Sequence, residues 1–101
     1  MAQLVVLYKT PTDAAAFDAY YTNTHIALVK KIPGLRKYEI SQGGIASPAP
    51  TGVYLVATLT FDSLAAIQSA LGGAEGQAAA GDVANFATGG ADMLMFDTKE
   101  V

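Results

Sequence analysis

The sequence predicts an α+β domain in which a four-stranded antiparallel sheet carries two helical segments on one face. Three observations carry this. Strand-like runs occur at 4–8, 35–42, 53–61 and 92–98, three of them rich in the β-branched and aromatic side chains that suit a pleated surface. Two of the intervening stretches repeat apolar residues every three or four positions, which marks one face of a helix. The resulting order, β-α-β-β-α-β, is the ferredoxin-like plan.

Leu4-Val5-Val6-Leu7-Tyr8 is apolar throughout and too short for a helix. It reads as a strand buried on both faces. Thr10-Pro11-Thr12-Asp13 then has the make-up of a helix start, with a capping hydroxyl, a proline whose φ is pre-set, and an acid near the positive end. A helix is expected over 12–31, with Phe17, Tyr20, Tyr21, Thr24, His25, Leu28 and Ile32 along one face. Lys30 and Lys31 suit its negative end, and Pro33-Gly34 stops it.

Residues 35–42 form the second expected strand, and the Gly-, Pro- and Ser-rich stretch 43–52 is a loop. Val53 to Phe61 is a strong β run. Asp62 or Ser63 can cap a helix carrying Leu64, Ile67 and Leu71, with Gly72 at its end. The Ala- and Gly-rich stretch that follows supports a weaker helix over 74–86, anchored by Val83 and Phe86. Residues 92–98 close the fold as a last strand.

Two helical segments cover only one face of such a sheet. Yet strand 4–8 is apolar on both sides, and in the last strand Met93 and Met95 oppose Leu94 and Phe96. A sheet face left in water does not suit these strands, so a second copy packed sheet to sheet, a homodimer, is expected.

Composition narrows the function. The 101 residues suit one domain, 1–101, and leave no room for two. Hydrophobic residues make up 51% and charged residues 15%, against a usual ~25% charged, which excludes a disordered chain. The net charge is −3 and the six basic residues form no long run, which argues against nucleic-acid binding and attraction to anionic membranes. No apolar stretch approaches the ~18 residues of a membrane span. The lack of cysteine excludes disulfides and thiolate chemistry and fits a reducing, cytoplasmic setting. One histidine without cysteine cannot supply a usual zinc ligand set, so no metal site is expected. The glycines of 72–76 follow a helix rather than a strand, so the dinucleotide fingerprint fails, and no P-loop or G-x-S-x-G elbow is present.

His25, the only histidine, shares a helical stripe with Tyr21 and Asp18. An imidazole there can move protons near neutrality, or it can be a packed side chain with both nitrogens satisfied. Tyr38 and Tyr54 lie on expected strands and could face one cavity, where a buried phenol can hold an oxyanion. Tyr20 and Tyr21 are ~100° apart on a helix and cannot point the same way. Met93 and Met95 suit the adaptable lining of a ligand pocket.

Tyr21-x-x-x-His25-x-x-Leu28, followed by Pro33-Gly34-Leu35-x-x-Tyr38, resembles the signature of the EthD family, named for a protein linked to ethyl tert-butyl ether degradation. Glu75-Gly76-Gln77, Asp82 and Asn85-Phe86 resemble a second block of that family, and with the opening Leu-Val-Val-Leu-Tyr the likeness spans nearly the whole chain. The resemblance implies a dimeric α+β barrel, in which two ferredoxin-like subunits pack their sheets face to face and each encloses a pocket between sheet and helices. Related barrels include muconolactone isomerases, methylmuconolactone methylisomerases, cofactor-independent monooxygenases, polyketide cyclases and haem-degrading enzymes.

By the likeness to methylmuconolactone methylisomerases His25 and Tyr38 are pocket residues, and they are the expected catalytic pair; Tyr21, Tyr54, Met93 and Met95, from their positions on the helix and strands, are the expected substrate-binding residues. The implied chemistry is cofactor-independent acid–base work on a small apolar, aromatic or lactone-like ligand: isomerisation, cyclisation, dehydration or decarboxylation. The alternatives are a non-catalytic accessory or ligand-binding dimer, and a haem-related activity through His25. The chain departs from the family where Ala27 replaces a frequent proline, which continues the helix without a kink. It also lacks the Trp and Cys used by some relatives.

Overall fold

A computed structural model describes residues 1–101. Its elements in order are β1 (Ala2–Lys9), α1 (Ala14–Tyr20), a π-helical turn (Tyr21–His25), α2 (Ile26–Lys30), β2 (Lys37–Ile40), β3 (Val53–Phe61), α3 (Leu64–Gly72), α4 (Ala74–Asp82), a 3-10 turn (Val83–Asn85) and β4 (Ala91–Asp97). The strands form one antiparallel sheet in the order β2-β3-β1-β4. Both helical arms pack on the same face.

Alternation decides that face. Ala2, Leu4, Val6 and Tyr8 of β1 are buried against the helices with Ala57, Leu59 and Phe61 of β3. Gln3, Val5, Leu7 and Lys9 point the other way and are only half-buried. β1 is therefore covered on one face of the subunit, not on both as its unbroken apolar run implies. β4 is exposed along its whole length, with Leu94 at 51% and Phe96 at 42% on the uncovered side of the sheet.

The first helical arm departs from the expected continuous helix over 12–31. Asp13, not Thr10, caps α1, accepting a hydrogen bond from the Ala16 N–H. At Tyr21–His25 the turn widens, and the Ile26 N–H donates to the Tyr21 carbonyl five residues back. The inward stripe becomes Phe17, Tyr21, His25, Val29 and Ile32, while Thr24, expected inside, is exposed. The intervening Thr22-Asn23-Thr24 are weak helix formers, so little local preference opposes the wider turn. What the turn achieves is tertiary: the rings of Tyr21 and His25 both reach Phe86, with centroids 5.6 and 4.6 Å from it.

Ser63 caps α3 through the Ala66 N–H. The Ala-rich stretch then splits into α4 and the 3-10 turn. Gly76 lets α4 lie against the end of α3, because a Cβ there would fall on the Ala70 carbonyl. No helix is long and apolar enough to cross a membrane.

Candidate functional site

Three elements converge on His25. The π turn carries it inward, β1 brings Tyr8 beneath it, and the end of α4 brings Asp82 beside it. Its ring is buried, with 3% of the residue exposed. The Nδ1 lies 2.9 Å from Asp82 Oδ2, and the Nε2 lies 3.4 Å from the Tyr8 hydroxyl. A carboxylate only accepts hydrogen bonds, so Nδ1 carries the proton and Nε2 presents its lone pair. The Tyr8 O–H then donates weakly to Nε2.

Burial pushes the His25 pKa below its ordinary value, and the opposing pull of the Asp82 carboxylate does not make up the difference. The imidazole is therefore neutral near pH 7. For Asp82 burial pushes upward, but hydrogen bonds from Tyr20, Asn85 and His25 outweigh it and hold the carboxyl below its usual range. Tyr20 donates to Asp82 Oδ1 at 2.6 Å and Asn85 Nδ2 donates to the same oxygen at 3.0 Å. Asp82 is thus an ionised carboxylate anchored on one oxygen while the other orients the imidazole.

A row of phenols continues from the histidine. Tyr8 and Tyr21 meet edge to face with centroids 5.7 Å apart, and the Tyr21 and Tyr38 hydroxyls are 2.5 Å from each other. Burial raises the pKa of Tyr8, Tyr21 and Tyr38, so all three remain protonated at neutral pH. These phenols and the imidazole are set in an otherwise apolar wall that includes Leu4, Val6, Leu59 and Met93 of the sheet and Val29, Ile32, Ala79 and Val83 of the helical arms. The cavity is about 40 Å³, which admits water but not a six-membered ring without movement of the wall.

The structure therefore gathers His25, Tyr21, Tyr38 and Met93 around one hollow. Tyr54 lies elsewhere. The β1–β3 pairing passes from Tyr8↔Leu55 to Lys9↔Val53 and skips Tyr54, so its side chain turns toward α1 and its hydroxyl donates to Asp18 at 2.8 Å. It lines a separate polar depression with Thr10, Ser41 and Gly43. Met95 pairs with Leu4 across β1 and β4 but stands outside the cavity, 40% exposed. Exposed Ala27 does not set the aim of His25; the bond to Asp82 and the contacts with Tyr21 and Phe86 do.

Sequence reasoning gave no role to Tyr8 or Asp82. Asp82 and Asn85 did stand within the second block that resembles the EthD family. Tyr8 closes the opening Leu-Val-Val-Leu-Tyr run that shares in the resemblance, but there it reads only as the apolar end of a strand.

An EthD domain model matches residues 9–90. An uncharacterized 11.0 kDa protein in the thcB-thcC intergenic region of Rhodococcus erythropolis is 39% identical over 101 residues, covering 100% of this chain and 98% of that protein. The crystal structure of an ethyl tert-butyl ether degradation (EthD) family protein from Bacillus halodurans C-125 superposes with a TM-score of 0.88 at 33% identity, covering 98% of this chain and 99% of that one. Two further structures share the fold alone. A dimeric ferredoxin-like protein of unknown function from Thermobifida fusca has a TM-score of 0.69 at 14% identity, covering 96% and 90% of the two chains. SnoaB, a cofactor-independent oxygenase from Streptomyces nogalater, has a TM-score of 0.68 at 15% identity, covering 99% and 94%.

Proposed function

Because this chain belongs to the EthD domain family, we propose that it processes a small molecule by proton transfer at His25, without a cofactor. The observation that carries this reading is the fixed tautomer: Asp82 holds the Nδ1 proton at 2.9 Å, which leaves a neutral, desolvated Nε2 facing a hollow lined by phenols. A base that is neutral at working pH and oriented by a third group meets the geometric needs of general acid–base catalysis. Tyr38, with Tyr21 behind it, is placed to steady negative charge that develops on a substrate oxygen. Isomerisation, cyclisation, dehydration and decarboxylation all use this pair of roles, and the fold also serves a cofactor-independent oxygenase.

The protein acts as a homodimer in this reading. Val5, Leu7, Val56, Leu94 and Phe96 form an apolar strip on the sheet face that no helix covers, and a second copy packed sheet to sheet removes it from water. The dimeric ferredoxin-like neighbour supports that arrangement.

The test is turnover across a panel of small carbonyl, lactone and phenolic compounds by the native protein and by His25→Ala. Loss of turnover in the variant, with a pH profile governed by one group titrating below the usual histidine value, supports the reading. Undiminished turnover in His25→Ala removes it.

A further inference from the structure

The charge inventory of the cavity narrows what can enter it. None of the residues that line the cavity is a lysine or an arginine. The formal charge nearest the imidazole is the Asp82 carboxylate, buried behind it. The other polar groups that face inward are three protonated phenols. With Tyr21 donating to the Tyr38 oxygen, which the hydrogen bond that draws the Tyr38 pKa down favours, the Tyr38 O–H stays free for a ligand oxygen. That donor is strengthened by the bond its own oxygen accepts.

From this arrangement we infer that the cavity takes an uncharged compound with one enolisable carbonyl, or the phenol that resembles its enol, and rejects carboxylates. The inference rests on the acid–base reading above and names its substrate class. A carboxylate would bring a second negative charge near the buried Asp82, into an apolar site with no cation in its lining to compensate it. Enolisation adds none. The weakly held Tyr8 O–H turns away from the His25 Nε2, whose lone pair takes the proton from the carbon beside the carbonyl, and the C–H electrons become the C=C bond. The carbonyl π electrons move to oxygen, which accepts the free tyrosine O–H. The imidazolium and the enolate form together, so the net charge of the cavity is unchanged. Return of the proton from Nε2 to the same carbon restores the substrate, and return to a conjugated carbon gives the isomer. No electrons leave the system, and no oxidant or cofactor enters the balance.

The wall must yield to admit a ring, since the hollow measures about 40 Å³. Met93 is the lining side chain most free to do so. It is 43% exposed on the edge strand β4, and its unbranched thioether repacks readily.

Phenol and benzoate, two single rings that differ in charge at neutral pH, test the inference by calorimetric titration of the full chain. Phenol is expected to bind at least about tenfold more tightly than benzoate. Tyr38→Phe should weaken phenol by about 2–10-fold, and Tyr21→Phe serves the same purpose if that variant does not fold. Met93→Ala should tighten phenol binding. Benzoate binding as well as phenol, or binding of neither, overturns the inference. Exchange of cyclohex-2-enone hydrogens in D2O, lost in His25→Gln, reports separately on the base. Phenol selectivity without exchange keeps the charge selection and removes the acid–base reading. Exchange with equal phenol and benzoate binding does the reverse.

Discussion

His25 and Asp82 are 57 residues apart in the chain and 2.9 Å apart in the fold. The contact couples the first helical arm to the end of the second and fixes which imidazole nitrogen keeps its proton.

Asp82→Asn removes the charge that pulls the His25 pKa upward, so that pKa falls further below its ordinary value. Asparagine also cannot accept from Tyr20, Asn85 and His25 as a carboxylate can. The loss of buried hydrogen bonding should cost about 1–3 kcal/mol. Nitrogen-detected NMR of the imidazole should show the Nδ1–H form giving way to a tautomer mixture, and a urea melt should show the destabilisation. An unchanged tautomer would show that Asp82 does not orient the ring.

Stability should fall on both sides of neutrality. The His25 pKa is lowered on folding from 6.5, so the unfolded chain binds the proton more readily, and stability is lost as pH falls below 6.5 toward the folded value. Asp82 is lowered from 3.8, so a second loss follows as pH falls below 3.8. Tyr8 and Tyr21 are raised from 10.0, so the unfolded chain releases their protons first and stability drops above pH 10.0. Thermal melts across pH check all three limbs. His25→Gln should flatten the one that begins at 6.5.

Tyr21 and Tyr38 should behave as one unit. Removing either hydroxyl leaves the other without its partner and should cost about 1–3 kcal/mol. Tyr21→Phe with Tyr38→Phe should cost less than the two single changes added together. A double-mutant cycle measures the difference, and strict additivity would mean that the 2.5 Å contact contributes nothing.

Gly76→Ala should loosen the second helical arm. The added Cβ would fall on the Ala70 carbonyl, so α4 must shift away from α3 at a cost of about 1–3 kcal/mol. Asp82 lies on the same helix, and the shift should also disturb the His25 imidazole signals. A thermal melt paired with NMR reads both effects.

Leu94→Glu or Phe96→Lys places a charge on the uncovered sheet face. Either change should convert a dimer to a monomer in light scattering while the far-ultraviolet circular dichroism keeps its shape. A dimer that survives both changes would place the interface elsewhere.

Local periodicity by itself determined the strands, the two helical arms and the inward face of His25, and the order of those elements implied the antiparallel plan. The elements and that face follow from spacing, because alternate residues of a strand and every third or fourth residue of a helix share an environment. Val53–Phe61 was legible to the residue because its β-branched side chains leave no competing pattern. The wide turn at Tyr21–His25 was not legible, since Thr22, Asn23 and Thr24 permit it without demanding it, and burial of two rings against Phe86 selects it. The position of Tyr54 escaped for a similar reason: the pairing of β1 with β3 skips it, and strand alternation alone sends it to the opposite face. Only tertiary structure brought Asp82 to His25 and set Tyr8 beneath it. Such hydrogen bonds join distant parts of the chain, so no local repeat records them, and the base and its orienting carboxylate exist only once the two arms share one side of the sheet.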